Sequence, residues 1–445
     1  MAAALASLLR WQMRQQSALQ PAPFNYSLTL SLDCSWQANE AVWQALGRLS
    51  QLSSLMIQTA AGDANETAVN MQHLSALAPL GSCLKQLELR ITPVGNLQHQ
   101  DYAFLSSLTT LTGLHLPVEC DHVRLDSISC LTNLRSLELP AHRFAELVLD
   151  AAVYAAIAQL TQLTRLSLSS IELGSPGCKY LSRLQQLQEL SAALCAAALP
   201  VVASLTRLTW LEFDWQQQQQ QQRPAGVPFT CPSVQALVTA RDAVPFESFP
   251  GLVDLVQGGS WQPAAFASLA QHCSGLRQLH ISSHCSLSAS LSVNDMLMPG
   301  AAAAAECAAA VRSLSALRQL TWLSFAPKYE AEVAALAALQ QLRGLMARIT
   351  LSSELRLNDL AALGPLRGLT TLAIELPDVI EFSCKRAKRV LSSVPHVQVV
   401  TLYVDARHVD AAARVVREAR EAHAAAGIEW PAVVLVADLE PRWDA

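Results

Sequence analysis

The chain has 445 residues, of which 51% are hydrophobic and 15% are charged, and its formal net charge is −5. This apolar composition excludes a chain that is disordered throughout, and it predicts a large buried core. The small net charge and the lack of a long basic run argue against a nucleic-acid-binding protein.

The apolar runs and the cysteines indicate the cellular compartment in which the chain is expected. No stretch of about 18 uninterrupted apolar residues occurs, so no membrane span is predicted. The 11 cysteines are odd in number and none forms a C-x-x-C pair. This usage is typical of reduced thiols and favours an intracellular protein.

The N-terminal region, residues 1–23, is predicted to be a helix or extension. Residues 5–19 read as an amphipathic helix that docks on the first structural unit. Arg10 and Arg14, with no acidic residue before them, leave an organelle transit peptide as the alternative. Residues 24–32 alternate apolar and polar side chains, which predicts a strand.

One phrase recurs along the chain, and its clearest copy is LTNLRSLELP at residues 131–140. Its leucines are spaced by three residues and then by two, which suits a turn followed by a strand. Leu137 and Leu139 therefore point inward, and Ser136 and Glu138 point outward. Further copies are LTTLTGLHLP, LTQLTRLSL, LTRLTWLEF, LRQLTWLSF and LRGLTTLAIELP. One copy cannot bury its leucines alone, so stacked copies must share a core.

Through these leucines the chain resembles the leucine-rich repeat family over residues 24–437. Consecutive complete copies are mostly 21 to 32 residues apart, and weaker copies around Leu237 and Leu255 fill the gap between Leu211 and Leu279. The resemblance implies an α/β solenoid of about 13–16 repeats. It would be curved, with parallel strands on the concave face and helices or helical turns on the convex face.

The chain departs from the family where an asparagine or cysteine usually follows the strand. Three residues after the last strand leucine it holds Thr92, Glu119, His142, Ile171, Gln216, His284, Lys328 and Pro377. No asparagine ladder is therefore expected.

Segments of other composition interrupt or end the repeats. A tract of seven glutamines lies in a predicted low-complexity surface loop at 216–226. Alanine-rich residues 301–314 predict a helix on the convex side. Residues 409–427 predict an amphipathic helix and 433–439 a last strand, and together they predict a C-terminal cap over 409–445.

Residues between the inward leucines are predicted to face the concave surface in two columns. The central column holds Met56, Glu88, His115, Glu138, Ser167, Glu212, His280, Ser324, Met346 and Ala373. The column two positions earlier holds Gln86, Gly113, Ser136, Arg165, Trp210, Gln278, Trp322, Gly344 and Thr371. Trp210 and Trp322 are candidate binding anchors, since a tryptophan on an exposed strand face often carries binding energy. Packing against neighbouring side chains is the alternative.

Charged residues on the same strands complete the candidate binding set. Four carboxylates give the face an acidic bias, namely Glu88, Glu138, Glu212 and Asp214. This bias predicts a partner with a basic segment, and a merely solvated face is the alternative. Arg165 and His280 lie on the same two columns and are further candidates.

A run of histidines and cysteines does not predict a metal site. The run comprises His272, Cys273, His280, His284 and Cys285. Cys273 occupies a core leucine position and His280 faces the other way, so they cannot share one ion. No G-x-S-x-G or phosphate-loop motif occurs, and no catalytic residue, metal or cofactor is predicted.

These features predict a non-enzymatic, cytoplasmic scaffold whose repeat surface binds another protein. Three alternatives remain. The first is the substrate receptor of an F-box ubiquitin ligase, although residues 1–23 lack the expected L-P-x-x-x-L pattern. The others are a regulator of a small GTPase and a cytoskeletal or axonemal scaffold. If the N-terminal region is a transit peptide, the protein is expected in an organelle instead. The sequence predicts no particular oligomeric state.

Overall fold

The computed structural model describes residues 26–32, 40–59, 68–69, 71–90, 92–93, 99–118, 125–140, 147–173, 175–195, 198–215, 229–239, 244–258, 263–281, 301–348, 357–376, 392–404, 409–425 and 431–436. The chain divides into two compact units, Met1–Phe229 and Thr230–Ala445, called unit 1 and unit 2. The predicted helix at 5–19, the loop at 216–226 and the segment 282–300 lie outside the described residues.

Unit 1 is built on short parallel strands. They are β1 (Tyr26–Leu32), β2 (Leu52–Thr59), β3 (Ala68–Val69), β4 (Gln86–Arg90), β5 (Thr92–Pro93), β6 (Gly113–His115), β7 (Ser136–Glu138), β8 (Leu147–Val148), β9 (Arg165–Leu173), β10 (Glu189–Leu194) and β11 (Trp210–Trp215). The ladder runs β1–β2–β4–β6–β7–β9–β10–β11. Strand β3 pairs with β5, and β8 pairs with the later part of β9.

Unit 2 continues the same pattern with strands in sequence order. They are β12 (Ala236–Thr239), β13 (Asp254–Gln257), β14 (Gln278–Ile281), β15 (Trp322–Phe325), β16 (Gly344–Arg348), β17 (Thr371–Leu376), β18 (Val399–Val404) and β19 (Ala432–Val436). Each strand pairs in parallel with the next. Within the described ranges the repeat turn precedes seven ladder strands of each unit, and this total of 14 lies within the predicted 13–16.

Helices form a second layer in each unit. Unit 1 has α1 (Glu40–Gly47), α2 (Ala151–Ile157), α3 (Ser175–Leu181), α4 (Leu199–Ser204) and 3-10 helices at Met71–Ser82, His99–Ser107 and Asp126–Cys130. Unit 2 has α5 (Pro263–His272), α6 (Ala301–Ser313), α7 (Glu330–Leu336), α8 (Val409–Ala425) and 3-10 helices at Phe246–Ser248, Leu314–Ala316 and Leu357–Leu363. This alternation of strand and helix confirms the predicted α/β repeat solenoid. None of the helices in these ranges is long and apolar enough to cross a bilayer.

The turn that leads into most of the ladder strands is the regular part of the repeat. In the copy before β7, Leu131, Leu134 and Leu137 are all fully buried. The Leu134 N–H donates to Leu131 O at 2.9 Å, which closes the turn. These turns lie along the edge of the sheet at which the strands begin, and we call this edge the strand-start edge. The side chains between the leucines form the open face, which points away from the leucine core.

Two cysteines replace the first leucine of this turn and confirm its core position. Cys231 and Cys273 are 2% and 0% exposed. The Cys273 thiol donates to Phe249 O at 3.6 Å. Burial, with a smaller contribution from Glu247, raises the pKa of Cys273 to about 12. It is therefore the inert core thiol that its position in the repeat predicts.

Candidate binding surface

Strand register brings the residues of each predicted column side by side. In unit 1, Glu138 lies beside Ser167 on the next strand, and Trp210 lies beside Glu189. In unit 2, Trp322 lies between Gln278 and Gly344 in one column. The central column of unit 2 places His280, Ser324, Met346 and Ala373 in line. The open face is thus a continuous surface within each unit.

Unit 1 uses several predicted binding residues in an ion-pair network of its own. The Glu138 carboxylate accepts from His115 Nδ1 at 3.0 Å and lies 3.2 Å from Arg165 Nε. Arg165 Nη1 also lies 3.3 Å from a carboxylate oxygen of Glu189. The hydrogen bond from His115 and the charge of Arg165 lower the pKa of Glu138, against an opposing effect of burial. The network crosses β6, β7, β9 and β10.

The acidic bias of unit 1 is therefore partly compensated within the unit. Glu88 contacts the Arg90 guanidinium on the same strand. Glu212 is half-buried, as is Trp210, and the side chain of Asp214 lies outside the described part of the chain. The predicted basic partner segment stays a prediction, because two of the carboxylates that motivated it already have cationic neighbours.

In unit 2, Trp322 occupies space that a missing side chain leaves open. A Cβ atom added to Gly344 would lie 2.0 Å from Trp322 Cε3. The indole therefore lies over the Gly344 backbone on the neighbouring strand. The equivalent glycine in unit 1, Gly113, meets nothing closer than 3.6 Å. Any larger residue at position 344 would displace the indole. The position of Trp322 therefore depends on Gly344, and we treat the two residues as a pair.

An open cleft of about 300 Å³ lies next to this tryptophan. Trp322 and Gly344 form part of its lining, together with Gln278, Arg343 and three threonines at the starts of β15 and β17. The volume is at the lower end of ligand pockets in proteins. It suits one or two side chains of a partner rather than a large cofactor.

His280 stands beside the tryptophan on the open face. The two ring centroids are 6.4 Å apart with the planes tilted by 36°. Burial, with a smaller contribution from Arg348, lowers the pKa of His280 to about 4. The imidazole is therefore neutral at physiological pH, and His280 contributes an uncharged aromatic ring to the open face.

Two groups under this part of the face have polar atoms that remain unsatisfied. Ser324 is fully buried, and neither its Oγ nor the Trp322 Nε1 has a hydrogen-bond partner in the structure. Unsatisfied buried polar atoms are uncommon and often accompany function.

Arg348 and Glu375 form a buried ion pair that the predicted site does not include. Arg348 Nε lies 3.0 Å from a Glu375 carboxylate oxygen, and Arg348 is 2% exposed. Burial lowers the pKa of Arg348 and raises that of Glu375, and their mutual attraction opposes both shifts. Both residues lie two positions after the central column. Extending the alternation of β16 and β17 by one step would have placed both residues on the open face, but not their contact across the two strands.

Two members of the histidine and cysteine run lie on opposite sides of the sheet. Cys273 lies in the core, whereas His280 lies on the open face on the other side of the sheet. His284 and Cys285 are outside the described residues. No group of three or more potential metal ligands occurs in the ranges that the structure describes.

The described repeats combine an L-x-x-L-x-x-L turn with a short parallel strand, and their leucines stack in register. The chain has a leucine-rich repeat fold. No protein-family model matches the chain, and no curated protein matches it.

Two solved structures are similar to the chain at low identity. One is the leucine-rich repeat-containing protein LegL7 from Legionella pneumophila, with 13% identity, a TM-score of 0.42, and coverage of 69% of this chain and 98% of that one. The other is from the Toll–Spatzle complex of Drosophila, with 12% identity, a TM-score of 0.38, and coverage of 88% and 62%. The fold assignment rests on the repeats themselves and not on these likenesses.

Proposed function

We propose that the chain is a non-enzymatic scaffold that binds another protein through the open face of its leucine-rich repeats. The observation that carries the proposal is the Trp322–Gly344 pair with its adjoining cleft. The leucine core does not require either residue, because both lie on the opposite side of the sheet. A tryptophan beside a cleft of side-chain size is a common anchor in protein interfaces.

The cysteines support a cytoplasmic location for this scaffold. None of the seven cysteines in the described ranges forms a disulfide. Burial raises the pKa of several of these thiols, including Cys231 to about 11. Protonated, buried thiols fit the reducing compartment that the cysteine count predicts.

The test is affinity purification of the tagged full chain followed by mass spectrometry. Trp322→Ala removes the anchor, and Gly344→Ala displaces it. We expect both variants to lose the same proteins from the purified set. Gly113→Ala is the matched control, since a Cβ there fits without contact closer than 3.6 Å, and it should retain them. Trp210→Ala tests the other predicted anchor separately.

Folding of each variant is checked by its circular dichroism spectrum and Tm. The proposal fails if wild type, both cleft variants and the control capture the same proteins. Loss of a partner only in variants with a strongly reduced Tm would count against a direct role for the tryptophan.

A further inference from the structure

The strand-start edge of unit 2 has a charge opposite to that of the whole chain. The seven turns that lead into β12 through β18 contain four arginines and one acidic residue, Asp254. The arginines are Arg277, Arg318, Arg343 and Arg367, one in each of four consecutive turns. Neighbouring strands are about 4.8 Å apart, so these four positions span about 14 Å of the edge. This row is basic in a chain whose net charge is −5.

Three of these arginines have no anionic partner among the residues that the structure describes. Arg318, Arg343 and Arg367 are exposed, and none of them occurs among the ion pairs of the described residues. Arg277 is different, because its charge acts on Asp254. This edge of unit 2 therefore presents three exposed guanidinium groups to solvent.

The cleft beside Trp322 opens among the same turns. Arg343 is part of its lining, and no acidic residue is. The Arg343 carbonyl accepts from Thr370 N, Thr371 N and Thr370 Oγ1, at 2.8, 3.0 and 3.2 Å. The backbone at this point is thus held by three donors while the guanidinium remains available. The cleft therefore combines the apolar surface of Trp322 with the positive charge of Arg343.

We propose that this edge of unit 2 binds an acidic peptide segment of a partner protein, with one aromatic or aliphatic side chain of the segment in the Trp322 cleft. The inference rests on the proposed scaffold function and names the partner's chemistry. Carboxylates of the segment pair with Arg318, Arg343 and Arg367, because guanidinium groups bind carboxylates in a two-pronged geometry.

A peptide fits these features better than a nucleic acid. Single-stranded nucleic acids are held by several aromatic rings on which successive bases stack. The cleft has one tryptophan, and that indole already lies over the Gly344 backbone. Its volume of about 300 Å³ suits a side chain next to a carboxylate.

The test is selection of a random-peptide phage library on the immobilised full chain. We expect the recovered peptides to be rich in Asp and Glu next to an aromatic or aliphatic residue. Synthetic copies of the recovered peptides should bind more weakly as salt rises, since exposed charges are screened.

Charge reversal then locates the site. Arg343→Glu and Trp322→Ala should each weaken binding of a recovered peptide by about tenfold or more, which corresponds to ~1.4 kcal/mol or more. Arg414→Glu is the control, because it changes the net charge equally at an exposed position of α8. It should leave the affinity within about twofold of wild type. Gly344→Ala provides a second cleft variant if Trp322→Ala lowers the Tm.

The outcomes separate this inference from the proposed function. Recovered peptides without acidic residues, or equal loss of affinity in Arg414→Glu, overturn the acidic-segment inference and leave a scaffold function standing. Competition by a single-stranded oligonucleotide as strong as that by the peptide overturns it in favour of nucleic acid. Failure to recover any peptide, with no protein captured in purification, overturns both.

Discussion

In unit 2, the buried side chain of Glu332 fixes the backbone at the start of a helix. Glu332 is fully buried near the start of α7. Its Oε2 accepts from the Lys328 N–H at 2.6 Å and from the Tyr329 N–H at 2.9 Å. Burial raises the pKa of Glu332, and the two hydrogen bonds oppose that shift. The side chain thus satisfies the N-cap amide of Tyr329, which the helix start leaves open, and the amide of Lys328 just before it.

Glu332→Ala should lower the free energy of unfolding by about 2 kcal/mol, since two buried amide groups lose their acceptor. Glu332→Gln should cost clearly less, because its amide oxygen accepts the same bonds. Denaturant unfolding of wild type and both variants measures the difference. Equal losses would show that the charge, and not the hydrogen bonds, matters.

His280 should make stability depend on pH in a defined window. Its pKa of about 4 in the folded chain lies below the value near 6.5 that is usual in unfolded chains. Between these values the unfolded state binds more protons, so stability falls as pH falls from about 6.5 to 4. His280→Asn should flatten this part of the profile.

Urea midpoints at several pH values, together with NMR titration of the imidazole, test the His280 prediction. An imidazole that titrates near 6.5 in the folded chain would contradict the prediction.

At the scale of the element, threonine hydroxyls in the turns tie one repeat to the next. The hydroxyls of Thr112 and Thr164 donate to the carbonyls of Lys85 and Arg135 in the preceding turns, both at 3.1 Å. Two backbone amides converge on the same carbonyl, as for Thr164 N and Arg165 N on Arg135 O at 2.8 and 2.9 Å. Other residues occupy the position at which the family usually has asparagine. Threonine hydroxyls instead form hydrogen bonds between repeats at the strand-start edge.

Thr164→Val should lower stability by roughly 0.5–1.5 kcal/mol, because the hydroxyl donor is lost while the shape is kept. Thr164→Ser keeps the donor and should cost less. Thermal unfolding of the two variants measures the contrast. If serine costs as much as valine, the methyl group and not the hydrogen bond holds the turn.

The leucine spacing predicted the strands and their columns because burial fixes which residues of a strand point inward. It could not predict the Trp322 cleft, since that depends on Gly344, a residue on another strand. It also missed the Arg348–Glu375 pair and the engagement of Glu138 by Arg165. Such contacts depend on which side chains stand next to one another across strands, and alternation within one strand does not carry that information.

At the scale of the whole molecule, each repeat depends mainly on its neighbours. Leu166 is fully buried and lies in register between Leu137 and Leu190. Its loss should therefore be felt on adjacent strands first.

Leu166→Ala should cost about 2–5 kcal/mol through the cavity it leaves. Hydrogen–deuterium exchange should speed up in β7, β9 and β10 and remain unchanged in β16. Faster exchange spread evenly over both units would mean that the chain unfolds as a single cooperative body.

The constant length of the strand-start turn determines where the chain can accept insertions. The first turn residue precedes the strand leucine by six positions in most copies, as in Leu131 to Leu137 and Leu366 to Leu372. Variation in repeat length must then fall after the strands, where the glutamine tract follows Trp215. An epitope tag or small domain placed there should leave the ladder intact, whereas one added residue before Leu137 should shift its register. The chain can therefore gain sequence after its strands while the strand-start edge stays unchanged.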